Sequence, residues 1–395
     1  MTDRSIYLDW AASTPLRPEA VAVMREYAPL FANPSSPHTP GREAKEKLEA
    51  ARAKIAKALG AEPIEIFFTG GATESCNTAI KGAVFAALAS GNRKPHIVTS
   101  AFEHHAVLEP VQWLHRMGLA DATIVEPDAE GIVSADRIVE AVRPETVLVS
   151  LMLVNNEVGT IQPVGEVARL LAEMNETRQA PVLLHTDATQ GVPYVLTTVG
   201  ELGVDMLSLS GHKFGAPKGV GALYKRKGVR IHPLIHGGSH ERGLRAGTEN
   251  FLSICAMAEA LEVTVAERAQ ERARLERLRA NFEAALLAEI PRTEINGHPQ
   301  LRSPHISNLY FADLEAEALL VALDVAGIAV TSGSACTSEK LGSSHVLMSM
   351  FRDQKRADGS LRFSFGWETT WEHLDTALKV LGRSVEKLRH IAGRV

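Results

Sequence analysis

The stretch Ser208-Leu-Ser-Gly-His-Lys-Phe-Gly-Ala-Pro-Lys-Gly-Val-Gly-Ala-Leu-Tyr224 concentrates more chemistry than any other part of the chain. Lys213 leaves an apolar run, follows Ser210 and His212, and is fenced by glycines that let a bound molecule approach the backbone closely. That setting suits a lysine that joins an aldehyde as a Schiff base. Desolvation lowers an amine's pKa, and only the neutral amine attacks a carbonyl. A solvated lysine in a glycine-rich turn is the plainer reading, and neighbouring motifs discriminate between the two.

Thr69-Gly-Gly-Ala-Thr-Glu-Ser-Cys-Asn77 follows another apolar run and opens onto a helix, so its backbone N–H groups and the Thr73 hydroxyl can cup a phosphate. Alone, it is equally a loop with an N-cap. In His185-Thr-Asp-Ala-Thr-Gln190, an Asp at a buried strand end needs a cationic partner such as a protonated pyridine nitrogen, or else caps the next helix. A phosphate cup, an acid for a ring nitrogen and a strand-end lysine together describe pyridoxal 5'-phosphate. Asp187 would keep the ring an electron sink, and Lys213 would hold its aldehyde.

The elements that must carry these residues follow from periodicity. Short aliphatic or β-branched runs at 64–68, 97–99, 147–154, 182–186, 206–209 and 220–224 read as strands, mostly separated by helix-length segments. The pattern predicts an α/β fold with a largely parallel sheet covered on both faces, whose site forms at the carboxyl ends of the strands. A helix is expected over 41–59, stopped by Gly60, and one long charged amphipathic helix over 254–289 should bridge two domains. Beyond it, strands at 306–311 and 361–365, helices at 315–326 and 373–388, and a glycine- and serine-rich loop around Cys336 make a smaller α+β unit.

Composition excludes several partners. The chain has 395 residues, 45% of them hydrophobic and 23% charged, with a formal net charge of −5. It lacks long basic runs, so neither nucleic acid nor a membrane surface is expected as a partner. No apolar run approaches the ~20 residues of a membrane span, and the first residues carry no signal segment. Three cysteines without metal-like spacing suit a reducing compartment. The expected location is the cytoplasm. His232, His236 and His240 recur every four residues, but Pro233, Gly237 and Gly238 break any helix that would align them, and no metal site is expected.

Tyr7-Leu-Asp-Trp-Ala-Ala-Ser-Thr-Pro15, Thr69-Gly-Gly-Ala-Thr-Glu-Ser75, Glu103-His104, Asn155-Asn-Glu157, Asp187-Ala-Thr-Gln190, Ser210-Gly-His-Lys213, His236-Gly-Gly-Ser-His-Glu-Arg-Gly243 and Ser332-Gly-Ser-Ala-Cys-Thr-Ser338 occur in one order along the chain. In this it resembles the fold-type I pyridoxal-phosphate enzymes, and within their class V branch the NifS/IscS-like cysteine desulfurases of the long-loop group. The resemblance spans essentially the whole chain. It implies a seven-stranded, mostly parallel sheet in a large cofactor domain at 15–260, with residues 1–14 and 261–395 forming the small domain.

It also implies a homodimer that converts L-cysteine to L-alanine. The sulfur would pass to Cys336 as a persulfide, and then to an acceptor protein in iron-sulfur cluster assembly or in thiolation of tRNA or a cofactor. By the same resemblance, His104 stacks on the ring and moves protons. Asn156 and Gln190 hydrogen-bond the ring hydroxyl or the substrate. Ala72, Thr73, Ser210 and His212 lie at the phosphate, and Thr248 reaches it from the other subunit. Arg362 clamps the substrate carboxylate, a task for which a guanidinium fork is suited.

Departures from the family pattern are Gly70 for a usual Ser, Cys76 for Asp or Asn, Trp367 for Arg, and a shorter segment after Asn33. Cys76 and Cys255 fall in helical segments, where a buried thiol is expected, whereas Cys336 lies in a polar loop suited to a reactive thiol. The chain ends at 389–395, short of the tail with which some members meet their scaffold, so the acceptor is left open. Three other readings share most residues: a selenocysteine lyase, a class V aminotransferase, which would need no loop cysteine, and a non-catalytic sulfur-relay or scaffold subunit.

Overall fold

A computed structural model describes residues 6–195, 198–333, 343–391 and 393. In chain order the first half comprises β1 (Ile6–Tyr7), α1 (Pro18–Tyr27), α2 (Thr39–Leu59), β2 (Ile66–Thr69), α3 (Ala72–Ala89), β3 (His96–Ser100), α4 (His105–Arg116), β4 (Asp121–Val125), α5 (Ala135–Glu140), β5 (Thr146–Ser150) and α6 (Val164–Asn175). There follow β6 (Leu183–Asp187), α7 (Val199–Leu202), β7 (Met206–Ser210), β8 (Gly221–Lys225), α8 (Phe251–Glu289), β9 (Thr293–Asn296), β10 (Ile306–Phe311), α9 (Ala316–Val325), β11 (Ile328–Ala329), α10 (His345–Phe351), α11 (Gln354–Asp358), β12 (Ser360–Ser364) and α12 (Trp371–Ile391).

The main sheet has seven strands in the order β2-β8-β7-β6-β5-β3-β4. Only β8 is antiparallel to its neighbours, β2 and β7. The continuous apolar runs of β5, β6 and β7 are buried, as a parallel sheet with helices on both faces requires. Sequence reading found six of these strands. It missed β4, a half-exposed edge strand paired only with β3, whose sequence Asp-Ala-Thr-Ile-Val lacks a continuous apolar run. It also overextended β5, which ends at Ser150. Leu151 and Leu153 instead donate backbone hydrogen bonds to His185 and Asp187 as the chain leaves the sheet toward Asn155.

Helix α2 begins two residues earlier than expected because His38 Nδ1 caps the Gly41 N–H at 3.2 Å. It ends where Gly60 turns left-handed at φ 68°. Helix α8 is 39 residues long and meets two separate cores. Its first turns, through Leu261, pack in the core beneath the main sheet, whereas Leu275, Phe282 and Leu286 belong to a second core with Phe363, Phe365, Leu374 and Leu381.

That second core lies against a three-stranded antiparallel sheet, β12-β10-β9. Strand β1 pairs in parallel with β11, far along the chain, which brings the segment after Tyr7 beside β12. Among the described residues no helix is long and apolar enough to cross a membrane.

Candidate active site

The carboxyl ends of β2, β6 and β7, with the loops after β3 and β5, open on one cavity of about 640 Å³. Ten of the twelve site residues named from sequence line it: Ala72, Thr73, His104, Asn156, Asp187, Gln190, Ser210, His212, Lys213 and Arg362. Cys336 lies outside the described residues. Thr248 is exposed and does not line this cavity.

Lys213 stands in the turn after β7, where Nζ donates to the carbonyls of Ala11 (2.7 Å) and Ala12 (2.9 Å). Gly211 is indispensable to that turn, because a Cβ there would come within 2.9 Å of Ala216 and 3.1 Å of Val220. His212 shares Nδ1 with Ser13 Oγ at 3.2 Å, and burial together with the charge of Lys213 pushes its pKa down to about 4, so it is neutral at physiological pH.

Asp187 ends β6 almost fully buried, one carboxylate oxygen accepting from the Thr189 N–H at 3.0 Å. Behind it lies the Cys76 thiol, which burial and the Asp187 charge drive well above the ordinary thiol range. Gln190 donates to the Ala11 carbonyl at 2.8 Å, so its side-chain oxygen faces His305 Nε2 at 3.0 Å and fixes the proton on that nitrogen.

At the start of α3, Gly71 takes φ 148°, and the helix's first residues Ala72 and Thr73 line the cavity together with Ser210. Gly70 leaves room for the Glu74 carboxylate, which a Cβ would approach at 2.8 Å, and the Gly70 N–H donates to that carboxylate. Arg245 neutralises Glu74 at 2.9 Å, so the acid does not spoil an anion site. His104 is the N-cap of α4, its Nδ1 accepting from the Ala106 N–H at 3.0 Å. Burial, aided by Lys213 and opposed by Asp187, holds it below the usual histidine range.

Arg362 on β12 is buried, with Nη1 donating to the Asn156 carbonyl (2.7 Å) and Nη2 to Asp9 (2.8 Å). Three lining residues carry buried polar atoms without a partner: Asn156 Oδ1, Thr189 Oγ1 and Arg362 Nε. Orphaned polar atoms around an open volume fit a polar occupant. An acid for a ring nitrogen, N–H groups and hydroxyls for a phosphate, and a lysine for an aldehyde match pyridoxal phosphate in particular.

Two participants escaped sequence reading. Asp9 was visible only as the one charged residue in the Tyr7–Pro15 motif. Glu103 is fully buried beside His104, its Oε1 accepting from the Met152 N–H (2.7 Å) and Ser100 (3.0 Å) and its Oε2 unpartnered. Burial drives its carboxyl up to about 8. The histidines at 232, 236 and 240 form no metal cluster among the described residues.

Comparison with known proteins gives a consistent set of relatives. A family model described as aminotransferase class-V matches residues 6–376. A cysteine desulfurase IscS of Dictyoglomus turgidum is 47% identical over 98% of this chain and 96% of its own, and one of Methanosarcina thermophila is 44% identical over 99% and 94%. Among solved structures, a NifS-like protein superposes with a TM-score of 0.89 at 36% identity, covering 97% of this chain and all of its own. A structure described as SspA in complex with cysteine superposes with a TM-score of 0.78 at 34% identity over 91% and 99%.

Proposed function

The chain belongs to the class-V aminotransferase family, and from that premise we propose that it is a cysteine desulfurase working with pyridoxal phosphate in the cavity around Lys213. The observation that carries this reading is the convergence of Lys213, Asp187, His104 and Arg362, drawn from four distant parts of the sequence, on one cavity lined with orphaned polar atoms.

The cofactor's phosphate would rest on the N-terminus of α3, with Ala72, Thr73, Ser210 and His212 around it, and Thr248 of a second copy would complete the cup in a homodimer. Asp187 would hold the ring nitrogen protonated, and Asn156 and Gln190 would contact the ring hydroxyl or the substrate. When bound, the cofactor supplies an electron sink conjugated to the substrate's α-carbon.

Arg362 holds the carboxylate of L-cysteine. Lys213, which would hold the cofactor's aldehyde in the resting enzyme, would serve as the base that takes the α-proton. With Nδ1 accepting from the Ala106 N–H, the neutral imidazole of His104 carries its proton on Nε2 and is in the protonation state to donate it to the carbon that loses sulfur. Cys336 is the proposed acceptor. Its thiolate sulfur bonds to the substrate sulfur, which keeps its proton, as the Cβ–S bond breaks; the bonding pair stays on Cβ, a proton from His104 is added there, and Lys213 returns the α-proton to give L-alanine. The persulfide on Cys336 then passes its outer sulfur to an acceptor protein.

Assays of alanine and of protein-bound persulfide with L-cysteine as substrate test the reading. Lys213→Ala should abolish both products and the visible absorbance of the lysine-bound cofactor. Cys336→Ser should keep that absorbance and lose persulfide transfer. A Cys336→Ser enzyme that passes sulfur on at the unaltered rate would remove the thiol from the mechanism, and a keto acid in place of alanine would favour transamination.

A further inference from the structure

The Arg362 guanidinium is a planar fork with five donors, and a carboxylate binds it in bidentate fashion only along a correctly turned edge. On β12 its backbone is fixed by pairing with Thr331, but the side chain needs separate anchors. Two are present. The Asn156 carbonyl holds Nη1 at 2.7 Å, and the Asp9 carboxylate, 353 residues away in sequence, holds Nη2 at 2.8 Å. The Nε–H is buried and has no partner, so the fork keeps an unused donor in a residue that lines the cavity. Asp9 also gives the guanidinium, only 4% exposed, a countercharge before any substrate arrives.

Asp9 does not stand alone. Its carbonyl accepts from the N–H groups of Ala12 and Ser13, forming a tight turn. The carbonyls of Ala11 and Ala12 in that turn accept from Lys213 Nζ, and the Ala11 carbonyl accepts from Gln190. The Ala11 N–H is in turn tied to Ser364 Oγ at 2.9 Å, two residues beyond Arg362. One short turn therefore touches both the residue that would clamp the substrate and the residue that would take its proton.

We infer that Asp9 is a positioning residue for substrate binding: it turns the Arg362 guanidinium so that one edge stands ready for an α-carboxylate, at a spacing from Lys213 set by the turn that Asp9 begins. The inference rests on the reading of Arg362 as the carboxylate clamp, and the test separates the two. Asp9→Ala should raise KM for L-cysteine at least tenfold, and the inhibition constant of L-alanine by a similar factor, with kcat within twofold. The inhibition constant of cysteamine, which has the amine and thiol but no carboxylate, should be unchanged.

Asp9→Asn keeps an oxygen acceptor in place and should fall between Asp9→Ala and the unaltered enzyme. Should Asp9→Ala not fold, by the criterion of its melting temperature, Asp9→Asn decides: a threefold or larger rise for L-cysteine over cysteamine supports the inference and a smaller one overturns it. Arg362→Gln is the reference. If it leaves KM unaltered, the clamp itself is misassigned. If it raises KM while Asp9→Ala does not, or if Asp9→Ala weakens cysteamine as much as L-cysteine, Asp9 has no positioning role.

Discussion

Glu103 shows how one buried side chain shapes the behaviour of its neighbours. Its carboxyl titrates near 4.5 when solvated and near 8 in the fold. Between those pH values the unfolded chain releases a proton that the folded chain retains, so this group makes stability fall as pH rises through that window. The buried His185 and His305 act in the opposite sense. Their pKa values are depressed to about 4 and about 3, so stability falls as pH drops below 6.5, where the unfolded imidazoles take up protons first. The cofactor-free protein should therefore melt highest near pH 6.5, where the histidine limb ends. Glu103→Gln should remove most of the alkaline decline, and its melting temperature should fall by several degrees less than that of the unaltered protein between pH 6.5 and pH 8. An equal decline in both would mean that Glu103 is ionised in the fold. Neither this group nor Asp9 could be assigned a role from sequence, because Glu103 accepts from Met152, 49 residues away, and Asp9 meets Arg362, 353 residues away. Lys213 and Asp187 were legible because a polar residue that closes an apolar run already marks a strand end.

Among the elements, the short helical turn His240–Gly243 carries unusual strain. Glu241 and Arg242 adopt φ of 47° and 54°, a left-handed conformation that non-glycine residues rarely occupy. What holds it is a buried pair: both oxygens of Glu241 meet Arg52 of α2, at 2.7 and 2.9 Å, and one also accepts from the Phe68 N–H. That contact ties the turn to β2, directly before the glycines of the phosphate cup. Glu241→Gln would leave the buried Arg52 charge only the half-exposed Glu49 carboxylate, at 3.1 Å, as a counterion and should destabilise the protein by about 3 kcal/mol, measured from denaturant midpoints. A loss below about 1 kcal/mol would show that the turn holds itself. The glycine-rich sequence around 236–243 announced an irregular segment and excluded a helical histidine cluster. Nothing in it announced that a glutamate would be the anchor. Strand β4 was hidden for a related reason, since an edge strand with one neighbour does not need the continuous apolar run that marks its central companions.

Taken whole, the described residues form three cores: one around α3 and α4, and two more joined by α8. Leu261 closes one contact and Leu275 begins the other, and the intervening turns are largely exposed. Because the beam is continuous, unfolding of the intact protein should appear in calorimetry as one transition. Ala269→Pro, which breaks the helix between the cores at about 3 kcal/mol, should separate it into two. A single, merely lowered transition would mean that the sheets, not the helix, couple the cores. The long helix was legible in the change from alternating short runs to one extended amphipathic pattern. The return of the first strand to the end of the chain was not, because two residues of β1 carry too little pattern to name a partner as distant as β11.

That return sets a timetable for synthesis. The turn headed by Asp9 emerges from the ribosome some 353 residues before Arg362, and β1 has no strand to join until β11 is made. For most of translation the nascent chain can already contain Lys213, Asp187 and the start of α3. On the proposed reading, a chain that stops before β12 would lack the carboxylate clamp and its Asp9 partner contact.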